Sequence, residues 1–499
     1  MVRSICAIQK TQELLKIMYY PGMTTHDATL AIQLDRRGGA SLAMQISGAI
    51  GAAIRSGNLA PGARLPSWHD LAAQLGVARG TVRLAYENLR DQQLVYTAGA
   101  AGTRVALDTP RQGATPAGAC PATPGPASPR RTGPAPFQVC MPAQDAFPFK
   151  TWSRIMGRTA RAAAALPMGY PDPCGEPALR SEIAAYLCVA RGIECAPAQV
   201  FITNGFSGAL DLVLRALRLE GRRAWMEDPG YSTTRALLLQ AGLAPVPVPV
   251  DADGLIVSAG LARAPDAALA VVTPGQQAPL GMTLSSGRRQ ALLDWAAACG
   301  AWIVEDDYLG ELQLQGRATP ALAARDRGGR VLHIGTFSKT LHPGLRVGFL
   351  VVPAALAEDM AQVADRLASA PTPAIQLAIA EFMRDGHYLR HLRRMKRLYA
   401  ERRLALLACL REMGLPHAAA GLSVLLTLPE GRDDLTAAGL ARAAGLAPSA
   451  LSWWCAEPLK GPGGLLLGVT NVAPERIRIA CRELATALGL SDTRYGLEK

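Results

Sequence analysis

RVLHIGTFSKTLHPGLRVGFLVV, residues 330–352, is the stretch on which the reading of this 499-residue chain turns. Two short apolar runs, RVLHIGT and GFLVV, flank a polar turn, so the segment reads as strand, loop, strand. Lys339 sits in the loop just after the first strand, among hydroxyls. In a sheet covered by helices, ligands gather at the carboxyl ends of strands. A partly buried amine with positive neighbours is easily deprotonated and can form a Schiff base with an aldehyde cofactor. Thr336, Ser338 and Arg346 are residue types that hold a phosphate dianion. A lone lysine of this kind is more often an exposed ion-pair partner, so the surrounding motifs must decide.

Working outward, FIT, AWMED, LAVVT and AWIVEDD repeat the short apolar pattern between helical stretches from Phe137 onward. Such alternation predicts an α/β unit with a mostly parallel sheet and helices on both faces. AWIVEDDYLGE (301–311) ends its strand in carboxylates and a phenol. Asp306 and Tyr308 are two apart and share one side of an extended chain. A carboxylate there can keep a pyridine nitrogen protonated while the phenol bonds a ring oxygen, although acidic pairs at strand ends also bind magnesium. FITNGFSGALDLVLRAL (201–217) gives a strand, a glycine turn and a helix start, an anion site at Phe206 and Ser207. WMEDPGY (225–231) places Tyr231 where an aromatic either stacks on a ring or fills the core.

The N-terminal part follows another pattern. In SLAMQISGAIGAAIRSGNLAPGARLPS (41–67), Leu42, Ile46, Ile50 and Ile54 recur at helical spacing up to the Gly57 and Pro61-Gly62 turns. A helix capped by Ser67 then runs to Leu75. Gly76-Val77 is a tight turn, and a third helix over 78–92 exposes Arg79, Thr81 and Arg83. LVYTAGAAGTRVA (94–106) suits a two-stranded wing carrying Arg104. Residues 41–105 hold six arginines against three acids, a net charge of +3. Arg79 and Thr81 are expected at the major groove, with Arg104 near phosphate.

Between the two lies 106–136, with PATPGPASPRRTGPAP (121–136), too rich in proline and small residues to bury a core. It is expected to be a flexible linker rather than a long loop inside one domain. The expected division is a disordered extension over 1–28, a DNA-binding domain over 29–105, the linker over 106–136 and the large domain over 137–499. The formal charge of +12 suits a polyanionic partner. Ten scattered cysteines, without a C-x-x-C pair or a Cys/His cluster, argue against a disulfide framework and a zinc site and fit a reducing cytoplasm. No apolar run is long enough to span a bilayer.

SGNLAPGARLPS, LAAQLGVARGTVRLAYENL and GTRV, in that order, resemble the winged helix-turn-helix of GntR-family regulators over 41–105. Trp68 and His69 replace the usual Ser and Arg after LPS, weakening one phosphate contact or making it pH-dependent. The four large-domain motifs together resemble fold type I pyridoxal-phosphate enzymes of the aminotransferase family, from about residue 145 onward. That resemblance implies a pyridoxal 5'-phosphate (PLP) Schiff base at Lys339, Asp306 on the pyridine nitrogen and Tyr308 on the phenolate oxygen. It puts Phe206, Ser207, Thr336, Ser338 and Arg346 at phosphate positions and Tyr231 at the ring-stacking position. Tyr170, in MGYPDPCGEPALR, matches a tyrosine that reaches the phosphate of a neighbouring subunit.

The fusion resembles the MocR subfamily, and with it come expectations of a cytoplasmic homodimer, paired DNA half-sites and a signal that is PLP itself or an amine or amino acid. The alternative is an active aminotransferase. Leu309-Gly310 after EDDY and Gln276 in TPGQQAPLG depart from the subfamily's wording and alter effector contacts. GLLLGV (464–469) has Leu466 where aminotransferases place a carboxylate-binding arginine, and no arginine occurs from Ala447 to Asn471. Efficient turnover of amino acids is therefore not expected. His387 and His391, four apart beside Arg393, Arg394 and Arg397, read as solvated helix surface.

Overall fold

The computed structural model describes residues 32–36, 39–99, 102–107, 134–165, 169–314, 319–367, 370–459 and 461–490. The expected extension over 1–28 and nearly all of the expected linker lie outside them. The chain divides into two compact units, Met1–Pro129 and Arg130–Lys499.

The first unit is built from α1 (Leu42–Arg55), α2 (Trp68–Leu75), α3 (Arg79–Asp91) and a ribbon of β1 (Val95–Thr97) and β2 (Thr103–Val105). Its core follows the sequence periodicity: Ile46, Ile50 and Ile54 of α1 pack with Leu71 and with Val82, Ala85 and Leu89 of α3. Ser67 caps α2 by accepting the Asp70 N–H, and Gly76 ends the helix in the left-handed region at φ +61°. The Tyr86 hydroxyl donates to the Pro66 carbonyl at 2.8 Å, tying α3 to the turn before α2.

The second unit centres on eight strands in the order β3-β10-β9-β8-β7-β4-β5-β6. They are β3 (Val200–Thr203), β4 (Arg223–Asp228), β5 (Ala244–Asp251), β6 (Gly254–Leu255), β7 (Leu269–Val272), β8 (Trp302–Asp307), β9 (Val331–Thr336) and β10 (Gly348–Val351). From β9 to β5 the neighbours are parallel, as expected. However, β10 runs antiparallel to both β3 and β9, because the chain returns directly through the Lys339 loop instead of crossing over by a helix. The strand APVPVPVD carries three prolines, which suits its place near the sheet edge, where one row of N–H groups is not needed.

Helices α4 (Phe149–Ala164), α5 (Pro177–Arg191), α6 (Gly205–Leu217), α7 (Ser232–Gln240), α8 (Val257–Arg263), α9 (Ser286–Cys299), α10 (Ala357–Leu367) and α11 (Pro373–Arg384) clothe this sheet, and the long α12 (His387–Glu412) follows. A second, antiparallel sheet orders β11 (His417–Ala420), β12 (Ser423–Thr427), β14 (Gly464–Gly468) and β13 (Ser449–Ala450). It packs with α12, α13 (Asp434–Ala443) and α14 (Pro474–Ala487) around its own apolar cluster. Phe137 bridges to Gly468, so the segment entering the second unit runs alongside β14. A side chain at 468 would meet the Gln138 carbonyl at 2.3 Å, which explains glycine there. No described helix is long and apolar enough to cross a membrane.

Candidate cofactor cleft and candidate DNA interface

At the carboxyl ends of β8 and β9 lies an open cleft. Asp306, Tyr308, Thr336, Ser338, Lys339, Arg346, Phe206, Ser207 and Tyr231 all line it, so nine of the ten cofactor candidates converge. Tyr170 is the exception: it is fully exposed and lines no part of this cleft.

The strand register divides the carboxylates of EDDY between two faces. Asp306 turns to the cleft, whereas Glu305 and Asp307 turn away and are bound elsewhere. Glu305 accepts from the Leu322 and Ala323 backbone N–H groups at 2.6 and 3.0 Å and meets His333 Nδ1 at 3.0 Å. Asp307 accepts from Arg191 Nε at 2.7 Å, with both side chains buried. A side chain at Gly310 would lie 2.1 Å from the Asp307 carboxylate, so this departure from the subfamily's wording makes room for the Arg191 pair.

Asp306 is treated differently. Its Oδ1 is buried without a hydrogen-bond partner. Burial, then the charges of Asp307 and Glu227, push its pKa well above the carboxylate range, with Lys339 pulling the other way. Burial also raises the Tyr308 phenol. Lys339 Nζ donates to the Cys140 carbonyl at 3.1 Å.

Opposite these groups, Gly205 opens α6 at φ +73° with no side-chain cap on the helix. Phe206 and Ser207 follow in its first turn. Arg346 spans to the same corner, donating to the Asn204 carbonyl at 3.2 Å, with its guanidinium in van der Waals range of the space beside Gly205. Thr336 Oγ1 accepts from the Ser338 N–H at 3.1 Å. Cationic, hydroxyl and helix-start groups thus form a cup suited to a dianion. Tyr231 lies 5.8 Å from Phe206 and 6.1 Å from Trp454 between ring centroids, forming an aromatic rim.

Three lining residues escaped the sequence reading: Cys140, Ala278 and Trp454. Each arrives from a distant segment, and no local periodicity marks it. The reading of His391 is corrected. It is buried, with Nε2 2.9 Å from the Thr340 carbonyl, and burial lowers its pKa. Tyr388 joins it, its hydroxyl donating to Thr340 Oγ1 at 3.2 Å. Together they anchor the turn that carries Lys339. His391 shares its helix face with Tyr388, Met395 and Tyr399, whereas the arginines beside it point outward.

In the first unit, Arg79 and Arg83 are exposed and Thr81 half-buried on the first turns of α3. Arg83 lies 3.7 Å from Glu87 one turn on. The Ser67 hydroxyl is occupied as the α2 cap and donates to Asp70 at 2.6 Å. Arg104 folds back, donating to the Gly62 carbonyl at 2.8 Å. Trp68 packs on His69 with ring centroids 4.0 Å apart.

Comparison with known proteins agrees with this architecture. Residues 146–450 match the model of aminotransferase class I and II, and residues 42–105 that of bacterial regulatory proteins of the gntR family. The second unit resembles the solved α-aminoadipate aminotransferase LysN of Thermus thermophilus, complexed with N-(5'-phosphopyridoxyl)-L-leucine, at 26% identity and TM-score 0.64 over 71% of this chain and 92% of that one. The class I and II aminotransferase fold is PLP-dependent in such homologues. Nearly full-length relatives are regulators. The probable rhizopine catabolism regulatory protein MocR of Rhizobium meliloti is 36% identical over 91% of this chain and 95% of its own. The pyridoxine biosynthesis regulator PdxR of Corynebacterium glutamicum is 31% identical over 93% and 99%. The chain belongs to the MocR subfamily of GntR-type transcription regulators.

Proposed function

We propose that this regulator binds PLP in the cleft and reads PLP, or an amine or amino acid that reacts with it, into its grip on DNA. The observation that carries the cofactor reading is the buried, unpartnered Oδ1 of Asp306. A buried carboxylate without a partner is costly, and a protonated ring nitrogen would satisfy it. The phosphate would sit among Phe206, Ser207, Thr336, Ser338 and Arg346. Tyr308 would bond the ring oxygen and Tyr231 would pack on the ring. Lys339 would supply the amine that holds the cofactor covalently. When bound, the cofactor supplies an aldehyde carbon reactive toward amines.

A sensor fits the site better than an aminotransferase. Leu466 is buried in β14 between Leu425 and Ser449, so the place of a carboxylate-binding arginine is apolar. The exposed Tyr170 suits a homodimer in which each subunit completes its neighbour's site and two readers meet paired half-sites, in the cytoplasm where a DNA-binding regulator acts. Arg79, Thr81, Arg83 and Arg104, with Ser67 at the α2 cap, would form the DNA face.

The test is to select DNA from a random pool with the PLP-loaded protein. Affinity is then titrated with and without PLP and a panel of amines, and turnover with keto-acid acceptors is followed in parallel. Ligand-dependent affinity, changed by about 1 to 3 kcal/mol as in typical allosteric coupling, is expected. Multiple turnover together with ligand-indifferent DNA binding would refute it.

A further inference from the structure

Beyond the cofactor cleft, and sharing Cys140, Tyr308, Lys339 and Trp454 with it, a second chamber opens toward the small sheet. Its walls include Val139, Met141, Leu309, Leu422 and Leu466, and its one charged lining residue is Lys339. Two buried guanidiniums of α12 lie behind the lining, each held to neighbouring groups by its terminal nitrogens while its Nε has no hydrogen-bond partner. Arg402 donates to the Thr470 carbonyl and to Asp145, and Arg403 donates to the Gly421 carbonyl at 3.2 Å. Neither lines the chamber. A carboxylate entering here would lose its water and find no cation in the chamber lining except the lysine that the amine must approach.

Gln276 gives the chamber a different preference. Its side chain is 6% exposed, lines the chamber and has no hydrogen-bond partner among the described residues. Its neighbour Gln277 is fully used, donating to the Pro229 and Ala278 carbonyls at 2.7 Å each and accepting from the Leu280 N–H at 3.0 Å. The free amide offers one acceptor and two donors, and Ser423 also lines the chamber. A hydroxyl can satisfy the amide oxygen as well as the amide N–H groups, whereas a carboxylate can satisfy only the N–H groups.

We infer that the chamber receives a primary amine without a carboxylate, bearing an uncharged hydrogen-bonding group such as a hydroxyl, with its amino end toward Lys339 and its polar end on Gln276. This rests on the proposed cofactor reading and narrows its effector from amines and amino acids in general to amino alcohols and their kin.

The experiment uses the full-length PLP-loaded protein and calorimetry on matched pairs: alaninol against alanine, and 3-amino-1-propanol against β-alanine. The amino alcohols should bind at least tenfold more tightly. Gln276→Leu should erase that preference, and Leu466→Arg should invert it. Equal or tighter binding of the amino acids to the unsubstituted protein overturns the inference, as does a preference unchanged in Gln276→Leu. That variant decides alone if Leu466→Arg does not fold. Protein that keeps no PLP after desalting refutes the cofactor reading itself, whereas retained PLP with a preference for the acids refutes only the effector class.

Discussion

Replacing Asp306 by asparagine should move two observables in opposite directions. In the cofactor-free protein the Asp306 carboxyl is buried among Asp307, Glu227 and Glu305, with Oδ1 unpartnered. Its folded pKa is raised above the unfolded value. The ionised form is therefore penalised in the folded state, with the penalty growing as pH rises above the unfolded value and levelling off above the folded one. Asparagine keeps the shape and removes the charge. At neutral to alkaline pH the free protein should gain about 1 to 3 kcal/mol, the usual size of the penalty for a buried group without its partner. The gain should vanish in acid, below about pH 4, where aspartate is protonated in both states. PLP binding should move the other way. Loss of a charge-assisted hydrogen bond costs about 1.5 to 3 kcal/mol, roughly a tenfold to hundredfold weaker Kd. Thermal melts of the free protein across pH, paired with PLP titrations, check both signs. An asparagine variant less stable than the parent at pH 8, with unchanged PLP affinity, would refute the reasoning and make Asp306 a structural residue.

Three further outcomes are expected. Lys339→Ala should abolish PLP that is fixed to the protein by borohydride, while circular dichroism stays unchanged; mass spectrometry of the reduced protein reads this. Arg79→Ala should weaken selected DNA by about 1 to 3 kcal/mol if it reads a base edge, and measurements on scrambled DNA separate that role from a phosphate contact, which weakens all sequences alike. For His333, burial works against the charged form, yet the Glu305 hydrogen bond and charge, joined by Asp307, hold its pKa above the ordinary value. Its contribution should be complete below about pH 6.5 and fade as pH rises through the raised pKa, so melting temperatures should fall across that window and flatten in His333→Gln.

The main cleft was legible because its residues obey local rules. Lys339, Asp306, Tyr308, Thr336 and Ser338 stand at or just beyond strand ends, and the two-residue period separates Asp306 from its neighbours. The antiparallel β10 was not legible, since an apolar run carries no direction. The strand APVPVPVD was hidden by its prolines, which only an edge place tolerates. Trp454 reaches the rim from a short 3-10 turn, Leu451–Trp454, that follows β13, a contact set by tertiary packing. His391 misleads in sequence because arginines crowd the intervening positions of its helix; only the packing of Tyr388, Met395 and Tyr399 shows which face is inside.

The burial of His391 bears on how a ligand signal could leave the cleft. Lys339 is followed by Thr340, whose carbonyl meets His391 and whose hydroxyl meets Tyr388, both near the start of α12. The same helix, 26 residues long, carries Arg402 to the Thr470 carbonyl and Arg403 to the Gly421 carbonyl in the small-sheet region. Thr470 in turn lines the second chamber. One rigid element therefore touches both the turn that bears the reactive lysine and the far wall of the chamber where an amine would bind. A ligand that shifts either end acts on the other through a packed helix, a continuous physical connection of the kind coupling requires. Whether α12 has two arrangements is measurable: hydrogen exchange at 387–397 should change when PLP-loaded protein takes up an amine, and an unchanged pattern would remove this helix from the account.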